Sequence, residues 1–275
     1  MSMPWPKWLW RKYAVVTSPS AIADFSECPR RWWFRKVARL PEVAGQKKFL
    51  FGNVFHDVVE RILKDQPDHY PKGWEGELTV LEAQRIRDLV TMGLEDGVLR
   101  PRSGVEIEVP MWMSVTPTVA IIGRFDIVSD TGVEDHKTVS SRRWLATPES
   151  LACDPKMLCY ARMWQDYSGQ GDRCNVDLQL NCFSKDPRDP WIEIVKATIP
   201  AAKVEEWWSG TAIPTVDHMA LLARVREADD VQKDEQGQAC RSYGGCPLID
   251  VCNKWESIPD YRSRIEKANN ERKKP

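Results

Sequence analysis

This sequence predicts an α/β fold with a central mixed sheet flanked by helices. Stretches with helical apolar spacing and stretches with strand-like alternation succeed one another along the chain. In the middle, two alternating runs, Val119–Val128 and Val133–Thr138, are joined by Ser129-Asp130-Thr131-Gly132, a hairpin signal. Hydrophobic residues make up 42% of the 275, enough for a normal core in one large domain or two small ones.

The elements follow in order. The first residues, with Trp5, Trp8 and Trp10 broken by Pro4 and Pro6, are too interrupted for a signal or anchor and read as an arm that packs late or contacts a partner. Ser18-Pro19 caps a helix over 19–38. A second helix covers 50–65, with Phe55, Val58, Val59 and Ile62 as its apolar stripe. A loop rich in Pro, Gly and Asp at 66–76 leads to a helix over 77–96, striped by Leu81, Ile86, Leu89 and Val90. Strands are expected at 105–115, 119–128 and 133–138. Asp154 as N-cap and Pro155 at the first position start the next helix. Val176–Phe183 alternates as a strand, with Trp191–Ile199 as its partner. Helices near 201–209 and 216–233 lead to a cysteine-bearing loop, and the charged stretch Arg262–Pro275 reads as frayed or disordered. The expected organisation is an arm at 1–17, one domain at 18–258 and a tail at 259–275.

A net charge of −1 argues against a protein held to nucleic acid by bulk charge. Basic residues are nevertheless concentrated at Arg30, Arg31, Arg35, Lys36 and Arg39, interleaved with Trp32, Trp33 and Phe34 and followed by Lys47 and Lys48. Two readings stand: cations tracking phosphates beside stacking aromatics, or a helix whose aromatics face the core while its arginines face solvent. Several of the 13 tryptophans, including Trp207-Trp208, read as core or interface. No apolar run is long enough to span a membrane. Eight cysteines without an apolar signal segment point to a reducing compartment, the cytoplasm of a cell or of a virus-infected host.

The residues that carry chemistry come in four groups. With Asp130-Thr131 at the hairpin tip, Asp126 lies opposite Asp135, and Lys137 shares the face of Asp135. Facing carboxylates destabilise a sheet unless something compensates, and a divalent cation would do so. His56 and Glu60, four apart, share a helix face, and Gly52 stands one turn earlier, where it allows close backbone approach. Lys156 and Tyr160 share a face by the same spacing. Cys240, Cys246 and Cys252 recur every six residues, and Cys28 is the candidate fourth thiolate of a site that suits either zinc or iron and sulfur. Cys153, Cys159, Cys174 and Cys182 read as buried thiols.

Asp126 with Asp135-x-Lys137 resembles the acid and D-x-K elements of the PD-(D/E)xK nucleases. Gly52-x3-His56-x3-Glu60 resembles the signature of their RecB-like branch. Tyr160 fits that branch's Q-x-x-x-Y helix, but Lys156 stands where glutamine is expected; lysine can contact a phosphate but cannot accept a hydrogen bond. One cysteine before these motifs and three after them resembles the iron–sulfur members, the AddB nuclease domain and the CRISPR-associated adaptation nucleases. The resemblance implies a restriction-endonuclease-like core. It also implies a DNA nuclease, most simply an exonuclease on single-stranded DNA or DNA ends in recombination, repair or CRISPR adaptation, with a protein partner in such a pathway. Mg²⁺ or Mn²⁺ would be held by His56, Asp126, Asp135 and the His136 carbonyl, with Lys137 catalytic and Glu60 holding His56. Tyr160, Lys156, Arg30, Arg31 and Arg35 would meet DNA. A 4Fe-4S cluster on Cys28, Cys240, Cys246 and Cys252 would staple the two ends of the domain, with Zn²⁺ as the competing occupant. The alternative function is a non-catalytic or partner-dependent DNA-binding subunit that keeps the fold and cluster.

Overall fold

Capping residues and prolines set the helix boundaries in the computed structural model, which describes residues 5–41, 47–66, 68–70, 73–74, 78–234, 237–241 and 245–272. After α1 (Leu9–Lys12) and β1 (Val15–Thr17), the Ser18 hydroxyl accepts from the Ala21 N–H and opens α2 (Pro19–Glu27). The single helix expected over 19–38 is in fact two. Cys28 precedes a proline and is extended (φ −159°, ψ 100°), and its sulfur accepts from the Arg31 N–H at 3.4 Å to cap α3 (Pro29–Lys36). Trp32, Trp33 and Phe34 are all buried, as the core reading of that helix requires.

Next come α4 (Lys47–Leu63) and α5 (Val80–Glu95), the latter opened by a reciprocal Thr79–Glu82 capping box. Leu81, expected in the α5 stripe, is 83% exposed; Ala83, Ile86, Leu89 and Val90 form the buried face. Strands β2 (Glu106–Thr116), β3 (Val119–Val128) and β4 (Gly132–Val139) precede α6 (Pro148–Leu151) and α7 (Pro155–Tyr167). Then follow β5 (Val176–Ser184), β6 (Ile192–Ile199), α8 (Ala201–Trp207), a π-helical turn at Trp208–Ala212 and α9 (Ile213–Leu222). The last helices are α10 (Gln238–Arg241), α11 (Ile249–Cys252) and α12 (Ile258–Arg272). The stretch expected to be frayed is therefore largely helix, because Tyr261 and Ile265, four apart, are buried.

The sheet is mixed and flanked by helices, with strand order β1-β3-β4-β5-β6 and β2 also pairing with β3. β1 runs parallel to β3 (Val15↔Val119), so the segment expected to be an arm supplies a strand. The β3–β4 hairpin is antiparallel, with Ile127↔Glu134 and Val128↔Val133. Ser129 and Gly132 close it, with Asp130-Thr131 at the tip as expected. β4 and β5 are parallel (Asp135↔Leu180, Lys137↔Cys182), and β5 and β6 antiparallel.

The chain divides into two compact units. One comprises Met1–Gly45, Trp112–Ile122 and Ser209–Pro275; in it Leu9, Tyr13 and Ala120 form a small apolar cluster with Trp5, Val16 and Ile122 against it. The other comprises Gln46–Met111 and Gly123–Trp208; its core joins Phe55, Val58, Val59 and Ile62 of α4 to Ile86, Leu89 and Val90 of α5, with Ile127 and Phe183 from the sheet. Residues 1–4 of the expected arm, parts of the 66–76 loop, Gly244 and residues 273–275 lie outside the described residues, as do the side chains of Lys47 and Lys48. Among the described residues no helix is long and apolar enough to cross a membrane.

Candidate active site

The second unit gathers the acids and bases of the site from α4, β2, β3, β4 and α7. Phe55, Val58, Val59 and Ile62 fix one face of α4 in the core, which turns His56 towards β3, and its Nδ1 lies 3.4 Å from Asp126 Oδ2. The hairpin register carries Asp126 towards Asp135, as expected. The same Asp126 oxygen accepts from the backbone N–H of His136 at 2.7 Å, and His136 itself is buried beside Asn181 and Phe183.

Glu108 completes the centre. One ligand atom each from His56, Glu108 and Asp126 lies within 4.8 Å of the others. Sequence reasoning missed Glu108 for a local backbone reason. Strand alternation places it on the face of Pro110, opposite the buried Val109 and Met111, but its φ is 57°, a left-handed kink that interrupts the alternation. Its side chain is only 9% exposed and pairs with Arg124, whose guanidinium also reaches Glu60 at 3.4 Å. An acid inside an apolar strand run was the available signal.

The expected partners are met in part. Glu60 does not hold His56: its carboxylate goes to Lys64 at 2.6 Å and to Arg124, and Asp126 is what His56 meets. A Cβ at Gly52 would stand 3.8 Å from Thr138 Oγ1, an ordinary contact, so no close approach depends on that glycine. At Gly123 it is otherwise: a Cβ there would press on Met163 and Tyr160, so the missing side chain lets α7 lie close to β3. Asp154 caps α7 through the N–H groups of Lys156 and Met157. Lys156 and Tyr160 share a face as expected, with the ammonium 5.2 Å from the ring centre and the Tyr160 hydroxyl donating to the Arg124 carbonyl at 3.4 Å. Lys156 Nζ also lies 3.3 Å from Asp135 Oδ1. Asp135 thus borders the compact centre while paired to a lysine. Lys137, two residues on, is exposed and without an ion-pair partner among the described residues.

Electrostatics describe a site crowded with carboxylates. Burial raises the Glu108 carboxyl, nearby Asp126 adds to this, and despite the opposing pull of Arg124 it is pushed up to about 7. Asp126 and Asp135 split. Burial works against both charges, but hydrogen bonds from His136 and His56 hold Asp126 well below the ordinary range. Asp135 is raised by burial and by Asp126, against the pull of Lys156. Burial disfavours charged His56, yet Asp126 first, then Asp135 and Glu108, raise its pKa overall. Lys156 is likewise raised: burial disfavours the ammonium, and Asp135 outweighs it. Two carboxylates and one imidazole at ligand spacing, with repulsion left over, fit a divalent cation of the hard or borderline kind.

A stability prediction follows for the metal-free protein. The Glu108 carboxyl, near 4.5 when unperturbed and about 7 in the fold, binds its proton more tightly when folded. Stability is therefore lost as pH rises from about 4.5 to about 7. Glu108→Gln should be more stable than wild type at pH 8 by on the order of 2–3 kcal/mol, with the difference gone near pH 4.5. Urea melts in chelator at the two pH values measure this, and a pH-independent difference would contradict it.

In the first unit, Cys28, Cys240, Cys246 and Cys252 are free thiols, close enough to act on one another electrostatically. Burial raises the Cys240 thiol, and the charges of Cys28 and Cys252 add to it. Burial also raises Cys246, reinforced by Cys240 and Cys28 and opposed by a Leu248 backbone hydrogen bond and by Arg31. The Cys246 N–H donates to the Cys240 carbonyl at 2.9 Å. Arg31 is buried in ion pairs with Glu27 (2.6 Å) and Asp24 (3.2 Å), Arg35 pairs with Asp24 (3.0 Å), and Arg30 donates to the Val231 carbonyl (2.8 Å). These arginines tie α3 to its own unit. Of the other thiols Cys159 and Cys182 are buried as expected, with burial raising Cys182 to about 11 against the pull of Lys137. Cys153 is exposed, with Lys203 Nζ at 3.0 Å, and Cys174 is half-buried, because both lie on connecting segments rather than in a core element.

Comparison with known proteins agrees with this architecture. The crystal structure of a "Putative exonuclease" from Eubacterium rectale superposes with a TM-score of 0.59 at 15% identity, over 93% of this chain and 94% of that one. A second crystal structure, of the protein SSO0001, shares 14% identity over 65% of this chain and 87% of that one, at a TM-score of 0.29. No curated protein sequence matches. The family model of the PD-(D/E)XK nuclease superfamily matches residues 16–253, nearly the whole chain and all of the groups described above, and the chain belongs to that superfamily.

Proposed function

We propose that the protein is a Mg²⁺- or Mn²⁺-dependent deoxyribonuclease of the RecB-like, iron–sulfur type, an exonuclease acting on single-stranded DNA or DNA ends. The observation that carries this is the His56–Glu108–Asp126 centre beside Asp135-x-Lys137. His56, Glu108 and Asp126 would hold the ion, with Asp135 and the His136 carbonyl as further oxygen donors. When bound, the ion supplies Lewis-acid polarisation of a phosphodiester and acidification of water. The chain's own residues do the rest. Asp126 fixes His56 and the His136 backbone at once. Lys137 positions the attacking water and neutralises the charge that develops on phosphorus-bound oxygens. Lys156 and Tyr160 face the nucleic acid from α7, with Lys156 moving from Asp135 to a phosphate. Recombination, repair or CRISPR adaptation in the cytoplasm is the setting this reading implies.

End-labelled single-stranded DNA incubated with anaerobically purified protein should shorten from one end with Mn²⁺ and stay intact in chelator. A well-folded wild type that binds DNA yet leaves it whole would instead favour a partner-dependent or non-catalytic binding subunit, a reading to which the Lys156–Asp135 pair lends itself.

The cysteine set fits a thiolate-ligated group: four thiols with no disulfide, in which Cys28 and Cys252 add to the raising of Cys240, and Cys240 and Cys28 to that of Cys246, are relieved by a cation among them. Cys28, Cys240, Cys246 and Cys252 would hold a structural 4Fe-4S cluster. Cys28→Ser should lose iron and sulfide together and lower the melting temperature before it alters the chemistry at His56 and Asp126. Zinc in place of iron in wild type purified without oxygen would assign the site to Zn²⁺.

A further inference from the structure

We propose that the outer face of α1, together with Trp112 of β2, is a docking platform for single-stranded DNA. It lies wholly within the first unit and rests on the reading of the protein as a DNA enzyme. Leu9 and Tyr13, four apart, are buried with Ala120 and hold α1 down. That anchoring leaves large aromatics in solvent: Trp8 is 43% exposed, Trp10 42% and Trp112 38%. Trp8 and Trp112 meet edge to face, with centroids 5.2 Å apart and planes at 89°, which fixes both rings while leaving ring surface uncovered. Lys12 places its ammonium 5.7 Å from the Trp8 ring centre and 5.0 Å from that of Tyr13.

Charge selects the occupant. From Trp5 to Ala23 the chain carries Lys7, Arg11 and Lys12 and no acid. From Trp112 to Gly123, which supplies the strands behind α1, there is no charged residue at all. In a chain of net charge −1, a segment with three cations and exposed indoles, and with no carboxylate between Trp5 and Ala23 or between Trp112 and Gly123, is complementary to a polyanion with uncovered aromatic faces. Unpaired bases stack on indoles without regard to sequence, and the cations beside them take the phosphates. Duplex DNA keeps its bases covered, and an apolar protein surface has no use for three cations.

The test is equilibrium binding of a fluorescein-labelled oligothymidylate of about 16 nucleotides to the full-length protein in chelator, where nothing is cut. Replacing Trp8, Trp10 and Trp112 together by alanine should weaken binding at least about tenfold, while phenylalanine at the same positions should keep most of the affinity. Lys7→Gln with Arg11→Gln and Lys12→Gln should flatten the dependence of log affinity on log salt by about 2. Wild-type affinity in the alanine variant overturns the proposal. So does unchanged affinity with loss of a self-associated species, which makes the face a protein contact. If wild type cuts DNA with Mn²⁺ but shows no platform-dependent binding, the platform fails and the nuclease stands. If binding depends on the tryptophans but no cutting occurs, the platform stands and the catalytic reading fails.

Discussion

Lys137→Ala is expected to lower metal-dependent DNA cleavage by roughly 10²–10⁴-fold while shifting unfolding by no more than about 0.5 kcal/mol. The combination follows from its position. The side chain is exposed and has no ion-pair partner among the described residues, so its removal breaks no packing and leaves no buried charge unpaired. Its backbone is locked in the parallel β4–β5 ladder opposite Cys182, two residues beyond Asp135, so it stays on the strand face of Asp135. Lys156 is not expected to take over, because it sits on α7, pairs with Asp135 at 3.3 Å and is assigned to the DNA phosphates rather than to the attacking water. Cleavage kinetics under single-turnover conditions, with urea melts alongside, measure both halves. Equal cleavage by wild type and variant would mean that Lys137 is not in the reaction.

Residues whose roles follow from local rules were legible in the sequence. The hairpin was, because alternation and a two-residue Asp130-Thr131 tip leave one register that keeps Val128 and Val133 paired. The α7 start was, because Asp154-Pro155 combines a capping carboxylate with a proline that needs no hydrogen bond. His56 was placed by the apolar stripe of α4, which dictates which side of the helix faces the core. What escaped depends on single backbone angles or on distant chain. Glu108 turns inward through one left-handed residue that alternation cannot foresee. Arg124, which no local rule singles out, bridges Glu60 and Glu108, which are 48 residues apart in the chain. Arg31 is not the solvated charge that one reading of its helix requires, since Asp24 and Glu27 bury it in ion pairs. The break at Cys28 was written in the sequence, because a residue before proline resists helical geometry, and the capping sulfur then fixes where α3 begins.

Asp126 is the residue through which fold and chemistry are most tightly joined, and two substitutions there separate them. Its Oδ2 accepts from the His136 N–H at 2.7 Å, stands 3.4 Å from His56 Nδ1 and belongs to the triad at ligand spacing. Asp126→Asn keeps an oxygen able to accept from His136, so the metal-free fold should lose little at neutral pH beyond the charge pairing with His56. That pairing is present above the unfolded carboxylate pKa of 3.8 and is lost as pH falls through the depressed folded value. The stability gap between wild type and Asn should accordingly close in acid. Asp126→Ala removes the acceptor as well and strands a buried backbone donor, a further loss of about 1–3 kcal/mol that should persist at every pH. For catalysis the two should not differ: both variants lack the negative charge, so both should abolish the Mn²⁺-induced rise in melting temperature and cut cleavage by at least about 10³-fold, the scale of losing a preorganised charge in a water-poor site. The His56 titration gives an independent readout, because Asp126 is the chief cause that raises it; without the carboxylate, burial prevails and the ring should titrate lower in both variants. Should Asp126→Asn keep its Mn²⁺ shift and its cleavage, the centre would have to be rebuilt around Glu108 and Asp135, with Asp126 demoted to a strand-pairing residue.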